Sequence, residues 1–336
     1  MSKIIATLMV SVFLLGCSTP QFDAAKHLRP IPTVLLSDMQ AKGMTSSDPI
    51  LVRIFKQENE LEVWKRESSD RYALLKTYGI CRWSGQLGPK TREGDRQAPE
   101  GFYLVTPRQM NPRSELFLSF DLGFPNEVDR AHGRSGRHLM VHGECTSSGC
   151  YAMTNDGMAE IYALAREAFA GGQKAIQVQA LPFRMTAENL AKYRADPNFA
   201  FWTNLKEGSD HFEVVRQEPR VDACGGNYVF NASAARGPLQ ASRPCPELLY
   251  EPETAALVGE KQRNDTQQVA QLVRAGTGAF KRVYLDGDMH KSYRRLLGAA
   301  PSSYASFNVA EVSRLEALKG EPLEMPVTSP ALVRER

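Results

Sequence analysis

The sequence predicts an α+β protein: a mostly-β domain with one main helix, followed by a mixed, partly helical region. Three observations predict this class. Short runs typical of strands recur between residues 50 and 181, one long amphipathic stretch at 156–170 has helical spacing, and further helix-like segments follow residue 186. With 336 residues the chain is long enough to bury the core of one large or two modest domains.

Seven short segments predict strands because their apolar or alternating residues are bounded by turn residues. They are 50–56, 61–65, 72–78, 102–105, 116–120, 139–141 and 175–181, of which the first two form a hairpin. Segments 84–101 and 129–137 are rich in Gly, Pro or charge and predict loops. A long loop within a compact domain is typical of a functional site.

The main helix is predicted over 156–170, with Asn155 or Asp156 as its N-cap and Gly171 as its stop. Further helices are predicted at 187–195, 199–212, 253–275 and 310–319, and an irregular segment at 224–246. The Asp286-Gly287 pair within 286–290 indicates a solvated turn.

The N-terminus is predicted to be a targeting segment that is not part of the fold. Lys3 and the apolar run 4–15 are typical of a signal peptide, and the run is too short to span a bilayer. Leu-Leu-Gly-Cys at 14–17 is typical of a bacterial lipobox. This pattern favours a signal peptide of residues 1–16 and lipidation of Cys17 over an ordinary cleaved signal.

Residues 17–47 contain several prolines and predict a tether, with a short helix near 34–42. The residue after Cys17 is Ser18 and not Asp, which by analogy with lipoprotein sorting favours the outer membrane. We therefore expect a periplasmic protein that is anchored to the outer membrane through a lipid on Cys17.

The segment 139–154 carries the residues with the clearest chemistry. An apolar strand leads to His142, and a small polar loop then ends at Gly149-Cys150. A thiolate is the nucleophile of cysteine enzymes, and an imidazole can act as the general base that removes the thiol proton. Backbone N–H groups near Ser148 and Gly149 are candidates for an oxyanion hole, Ser148 also for orienting the site. On spacing alone, a buried structural cysteine is the alternative.

Several motifs resemble the L,D-transpeptidase (YkuD-type) catalytic domain family, most closely its YafK-like branch. They are His142-Gly143, Ser147 to Met153, Cys81 to Gly85, Leu87 to Lys90, Glu93 to Gly101 and Leu181 to Thr186, and together they span about residues 48–215. Many members of the superfamily carry a histidine directly before Gly-Cys. Here that position is Ser148, so the resemblance implies His142 as the base.

The resemblance implies a β-sandwich-like L,D-transpeptidase catalytic domain over residues 48–186, with 187–336 as a C-terminal accessory region. It also implies a cysteine acyl-transferase that acts on peptidoglycan stem peptides at the L-centre of diaminopimelate through a Cys150 thioester. An amidase that uses the same site to detach peptidoglycan-bound lipoprotein is one alternative. A catalytically inactive peptidoglycan-binding lipoprotein is the alternative from another class.

Candidate substrate-binding residues lie close to the catalytic pair. Gly143 and Tyr151 adjoin it, and Arg134 and Arg137 are favoured to hold a substrate carboxylate, ahead of a wider set: Arg82, Arg96 and Arg184. The grouping of His132, His138, His142, Cys145 and Cys150 does not predict a metal site. Strand spacing keeps same-face histidines too far apart for one ion.

The charge balance argues against other classes of partner. The net charge is +3 with 24% charged residues, and no basic block indicates nucleic-acid binding. No glycine-rich phosphate loop is present. Because thiol chemistry requires no cofactor, none is expected.

The cysteine count favours disulfides, because the expected compartment is oxidising. Of the six cysteines, assigning Cys17 to the lipid and Cys150 to catalysis leaves four, which allow three pairings. Cys224 with Cys245 is the favoured pair, since it closes a short loop and contributes ~3 kcal/mol on the chain-entropy model. Cys81 and Cys145 are left as a second pair or as two thiols.

Overall fold

A computed structural model of the chain describes residues 25–296 and 304–308. The predicted signal peptide, the lipidation at Cys17 and the helix at 310–319 lie outside the described residues. Within the described part, no helix is both long enough and apolar enough to cross a bilayer.

The described elements alternate between short strands and helices, which confirms the α+β class. The strands are β1 (Ile50–Phe55), β2 (Glu60–Arg66), β3 (Tyr72–Gly79), β4 (Arg82–Trp83), β5 (Gly101–Val105), β6 (Met110–Asn111), β7 (Ser119–Asp121), β8 (Met140–His142), β9 (Tyr151–Ala152), β10 (Ile176–Leu181), β11 (Val221–Cys224), β12 (Asn227–Phe230), β13 (Ala232–Ala234), β14 (Leu248–Tyr250), β15 (Phe280–Tyr284) and β16 (Tyr304–Asn308). The helices are α1 (Thr33–Ala41), α2 (Glu127–Ala131), α3 (Asn155–Ala170), α4 (Ala187–Tyr193), α5 (Phe199–Val215), α6 (Pro252–Arg274) and α7 (Lys291–Leu296), and two 3₁₀ turns lie at Lys26–Leu28 and Pro107–Gln109.

Two five-stranded sheets form the main body of the described chain. The first has the strand order β3-β2-β1-β10-β5, with β1 and β10 parallel and the other pairs antiparallel. The second has the order β4-β9-β8-β7-β6, with β8 and β9 parallel. Three two-stranded ribbons, β11-β12, β13-β14 and β15-β16, lie in the C-terminal part.

Helices cover both faces of the first sheet, so every residue of β1 and β10 is buried. On one side, Ile161 and Ala165 of α3 line a small void together with Val52 of the first sheet and Phe120 of the second. On the other side, Arg53 donates to Ser209 of α5 at 2.8 Å. A strand buried on both faces reads as a continuous apolar run, which is why the sequence pattern identifies β1.

The N-cap of α3 lies before both of the residues predicted for that role. Thr154 is the N-cap: its side chain accepts from the N–H of Gly157 at 3.2 Å. Asn155 is already helical and uses its side-chain oxygen to accept from Glu144 N–H at 2.9 Å. At the other end, a Cβ on Gly171 would overlap the carbonyl oxygen of Ser47, so the close packing there requires glycine.

Part of the predicted tether belongs to the folded body. The short helix expected near 34–42 is present as α1, and Leu35 and Met39 are buried in the main hydrophobic core. Proline spacing indicated an extended segment, but it does not report the burial of apolar residues between the prolines. Helices α4 and α5, assigned by sequence to the accessory region, bury Leu190 and Trp202 in the same core.

Three other segments differ from their predictions. The strand expected at 116–120 lies at 119–121, the loop expected at 129–137 begins within α2, and the segment expected to be irregular at 224–246 contains β12 and β13. In α2, Asn126 accepts from the N–H of Asp129 and Asp129 accepts from the N–H of Asn126, a capping box that stabilises a short helix.

The glycines of α5 and α6 allow a paired stability test. A Cβ on Gly208 would overlap the rings of Phe230 and Phe102, whereas a Cβ on Gly259 meets only the end of the flexible Arg263 side chain. We expect Gly208→Ala to lower the free energy of unfolding by about 1–3 kcal/mol, because the helix must move away from the rings. We expect Gly259→Ala to raise it by about 0.5–1 kcal/mol. Urea unfolding of both variants measures this difference, and equal effects would contradict the packing of α5.

Candidate functional site

The predicted nucleophile lies where two parallel strands meet. In the second sheet, Val141 of β8 is opposite Tyr151 of β9, and His142 is opposite Ala152. Cys150 directly precedes β9 and is therefore level with Met140. The other edge of β9 pairs with β4, with Trp83 opposite Tyr151. The strands thus place Cys150 and His142 on neighbouring strands, two positions apart along the β8–β9 pair.

The Cys150 thiol is half-buried and held by backbone groups. The N–H of Met140 donates to Sγ at 3.4 Å, and the thiol lies 3.5 Å from the carbonyl oxygen of His138, to which it donates. Burial raises the pKa of this thiol, and the hydrogen bond from Met140 offsets part of that rise. The resting group is therefore a neutral thiol at neutral pH.

The His142 side chain is buried, and its Nδ1 lies 2.5 Å from the carbonyl oxygen of Gly143. A carbonyl oxygen only accepts, so Nδ1 carries the proton and Nε2 is left as the basic nitrogen. Burial lowers the pKa of His142, which keeps the ring neutral. No hydrogen bond joins His142 to Cys150 among the described residues. The hydrogen bond between a catalytic base and its nucleophile can form when substrate is bound.

Residues 144–149, the thiol loop, are fixed at both ends. A disulfide joins Cys145 to Cys81, which directly precedes β4, with a Cα–Cα distance of 5.2 Å. Near the other end, the hydroxyl of Ser147 donates to the carbonyl of Cys150 at 2.7 Å and accepts from its N–H at 3.1 Å. The loop is therefore a constrained connection between two strands of one sheet.

Ser84 binds the thiol loop from the side of β4. Its buried hydroxyl accepts from the N–H of Gly149 at 2.6 Å and donates to the carbonyl of Arg96 at 2.7 Å. In this conformation the N–H of Gly149 is bound to Ser84 and is not free to bind an oxyanion. This corrects the prediction that the backbone of Gly149 forms an oxyanion hole. Ser148 is exposed, and its part in an oxyanion hole stays a prediction.

The long loop at 84–100 is organised by a fully buried ion pair. Lys56, at the end of β1, lies 3.0 Å from Glu100, and both side chains are completely inaccessible. Lys56 also donates to the carbonyls of Gln86 and Ala98, and Glu100 accepts from Gly88 N–H. Each charge is thus surrounded by hydrogen-bonding partners. Burial lowers the pKa of Lys56, and the carboxylate of Glu100 counteracts this.

The structure pairs all four cysteines that remain after Cys17 and Cys150. Cys224 is bonded to Cys245, the pair favoured from the sequence. Cys81 with Cys145, which the sequence left open, forms the other bond. Cys150 is the free cysteine of the described residues.

Two predicted substrate-binding residues are engaged elsewhere. Tyr151 is fully buried and donates to the carbonyl of Pro99 at 2.7 Å, so it cannot reach a substrate. Arg134 is almost fully buried and pairs with Asp129 at 2.9 Å, so its guanidinium has a structural role. Both predictions are wrong, because neighbourhood in sequence does not report the direction of a side chain.

Gly143 is required by close packing, which is a different role from the predicted contact with substrate. A Cβ at this position would lie 2.7 Å from Oδ1 of Asn155 and 2.8 Å from Cβ of Phe117. Its carbonyl orients His142. Arg137 is exposed and lies 3.3 Å from the equally exposed Glu93, so its guanidinium remains accessible from solvent.

The other arginine candidates are also ion-paired. Arg184 contacts Glu60 and Glu62, and Arg82 and Arg96 both contact Asp286. The turn that contains Asp286 is not solvated as predicted, since Asp288 is buried.

The contribution of three groups to the site was not identified from the sequence: Ser84, the Lys56–Glu100 pair and the 286–288 turn. Ser84 and Glu100 lie in motifs that carry the family resemblance, and these motifs were the available signal. Nothing in the sequence connects residue 286 with residue 96, because the link depends on the tertiary fold.

No protein-family profile matches the chain. Two curated relatives, from two strains of Escherichia coli, are each described as "Putative L,D-transpeptidase YafK". Each is 44% identical over 188 residues, which cover 56% of this chain and 76% of the relative.

Solved structures give weaker likenesses. The helical cell shape determining protein Pgp2 from Campylobacter jejuni has a TM-score of 0.34 at 14% identity, covering 79% of this chain and 85% of that chain. Bdellovibrio bacteriovorus Bd1075 has a TM-score of 0.30 at 13% identity, covering 52% and 77%. Likenesses at these TM-scores do not establish a common fold.

The disulfide assignment predicts a labelling pattern. When the protein is unfolded without reductant and treated with iodoacetamide, we expect peptide mapping to find the label on Cys150, because the four other described cysteines are bonded. Reduction before labelling is the control and should expose all of them. Label on Cys81 or Cys145 without reduction would contradict the constrained thiol loop.

The neutral resting pair predicts a pH dependence. We expect half-maximal alkylation of Cys150 above the ordinary cysteine pKa of about 8.5, because burial raises its pKa. On the acid side, kcat/KM for acylation should fall only below the ordinary histidine pKa of about 6.5, because burial lowers the pKa of His142. An alkylation midpoint well below neutrality would instead reveal a thiolate–imidazolium pair.

Proposed function

Because the chain belongs to the YafK-like branch of the L,D-transpeptidase family, we propose that it is a cysteine acyl-transferase that acts on peptidoglycan stem peptides. The observation that carries the proposal is the geometry of one strand pair: β8 supplies His142 with Nε2 as its basic nitrogen, and β9 is preceded by the free thiol of Cys150. The two five-stranded sheets and α3 would then be the catalytic domain of that family.

In the proposed reaction, Nε2 of His142 removes the proton from Sγ of Cys150. This requires rotation of the thiol away from the carbonyl of His138, to which it now donates. The sulfur attacks the carbonyl carbon at the L-centre of diaminopimelate, and the bond from that carbon to the leaving nitrogen breaks. The proton held by His142 passes to the leaving amine, and the acyl group remains as a thioester on Cys150.

The neutral resting state supports this order of events. Both groups are partly removed from water, so charge separation before substrate binds would be costly. Proton transfer is then coupled to attack on the carbonyl carbon. The fixed Nδ1 contact with Gly143 stabilises the imidazolium that forms transiently.

Two outcomes share this acylation step. In transpeptidation, the leaving group is D-alanine and an amine resolves the thioester. In the amidase reaction, the leaving group is the lysine end of a peptidoglycan-bound lipoprotein and water resolves the thioester. We propose transpeptidation as the primary reaction. The amidase reaction is the alternative, and product analysis distinguishes the two.

We also propose that the protein acts in the periplasm, anchored to the outer membrane through a lipid on Cys17. Two disulfides support an oxidising compartment, since such bonds are rare where thiols are kept reduced. A test is metabolic labelling with a fatty acid, which should label the wild type and not a Cys17→Ala variant.

Product analysis tests the activity directly. Tetrapeptide muropeptides with a free D-amino acid, and separately sacculi carrying bound lipoprotein, are incubated with the protein and analysed by mass spectrometry. Exchange of D-alanine or new cross-links indicates a transpeptidase, and release of lipoprotein without exchange indicates the amidase. We expect Cys150→Ala to abolish either product and His142→Ala to reduce its rate by about 10²–10⁴-fold.

His132→Ala is the matched control, because His132 is exposed and its ring contacts the carbonyl of Gly226 in the C-terminal part. It should retain the wild-type rate. Product formed by Cys150→Ala would contradict the proposed mechanism. Binding of sacculi without any product, in wild type as in Cys150→Ala, would support the inactive peptidoglycan-binding lipoprotein.

A further inference from the structure

The C-terminal turn, defined as residues 285–290, extends the sheet that carries the nucleophile. The N–H of Trp83 donates to the carbonyl of Asp288 at 3.0 Å, and the N–H of Asp288 donates to the carbonyl of Trp83 at 3.2 Å, which is an antiparallel bridge. Trp83 pairs on its other side with Tyr151, directly after Cys150. The short β4 strand is therefore held between the C-terminal turn and the strand of the nucleophile.

A second set of contacts runs from the C-terminal turn to the thiol loop through side chains. The carboxylate of Asp286 lies 2.8 Å from the guanidinium of Arg96, and Arg82 donates to the backbone carbonyl of Asp286 at 2.6 Å. The same Arg96 nitrogen lies 3.5 Å from the carbonyl oxygen of Ser147. Ser147 in turn bonds both backbone groups of Cys150.

The docking of the C-terminal turn is tight. Gly287 has a φ of +66°, and a Cβ at this position would overlap the carbonyl oxygen of Trp83. Its N–H donates to the carbonyl of Gly85 at 2.9 Å. Asp288 is buried, accepts from Asn59 at 3.2 Å and pairs with Arg294 at 2.8 Å. These contacts hold the C-terminal turn closely against β4.

We propose that the C-terminal turn is a positioning element for Cys150, with Asp286 and Gly287 as its positioning residues. One route runs from Asp288 through Trp83 to Ser84, which holds the N–H of Gly149. The other runs from Asp286 through Arg96 to Ser147. The proposal rests on the proposed acyl-transfer function and assigns to residues 285–290 a part in building that site.

Gly287→Ala tests the first route, and Gly276→Ala is its matched control. Both glycines have a positive φ, so alanine strains the backbone at either position, but only Gly287 packs against Trp83, while nothing lies within 4 Å of a Cβ on Gly276. The readout is the rate of Cys150 acylation by a carbapenem, followed by intact mass over a range of carbapenem concentrations. Melting temperatures of all variants are recorded beside it.

We expect Gly287→Ala to lower the limiting acylation rate by roughly tenfold, because small misplacements of a nucleophile can cost up to ~10²-fold. The carbapenem concentration at half-saturation should not change, since the proposal gives the turn a role in placing Cys150 and none in binding the ligand. Gly276→Ala should acylate at the wild-type rate. Equal rates for the two variants would overturn the first route.

A double-mutant cycle tests the second route independently of Gly287. Asp286→Asn and Arg96→Gln should each slow acylation, and the double variant should be no slower than the slower single variant, because the second route passes from Asp286 through Arg96. Additive losses, or no loss in Asp286→Asn, would contradict this route. A wild type that reacts with iodoacetamide but not with the carbapenem would overturn the proposed function instead, so the two failures are distinguishable.

Discussion

The buried ion pair between Lys56 and Glu100 is the interaction on which the arrangement of the site depends. Two charges without access to water are costly unless every remaining donor and acceptor is satisfied. Here the carbonyls of the 84–100 loop surround Lys56, and Glu100 also accepts from the indole N–H of Trp202 in α5 at 2.8 Å. The pair therefore joins the end of β1, the long loop and a helix of the C-terminal half. Because that loop carries Ser84 and Arg96, its shape determines what supports the thiol loop.

The site combines a constrained backbone around Cys150 with a thiol that is protonated at rest. The disulfide, Ser84 and Ser147 fix the backbone on both sides of Cys150, whereas the thiol itself is protonated and bonded to backbone groups. Such a site does not maintain a permanent thiolate. In the proposed reaction, the site holds the backbone of the nucleophile and the ring of the base in place, and attack on the substrate carbonyl drives the proton transfer.

Much of the fold was accessible from the sequence, because periodicity reports local structure. The strands β1, β2, β3 and β10 and the helices α3, α5 and α6 follow apolar patterns that depend on few neighbours. Cys150 and His142 were predicted as the catalytic pair from their chemistry and the family motifs. The failures share another cause: the burial of Tyr151, the pairing of Arg134 with Asp129 and the docking of Asp286 each depend on partners that only the tertiary fold brings near. Composition at 286–287 predicted a turn correctly, but not the surface that the turn packs against.

The most direct test of the central claim is to trap the acyl-enzyme. The protein is mixed with a tetrapeptide muropeptide, quenched in acid within the first turnover, and digested for mass spectrometry. The account predicts that the peptide containing Cys150 gains the mass of the acyl portion of the stem peptide, and that hydroxylamine removes it, as it does a thioester. Turnover of the muropeptide without any adduct on Cys150, or an adduct on another residue, would contradict the account.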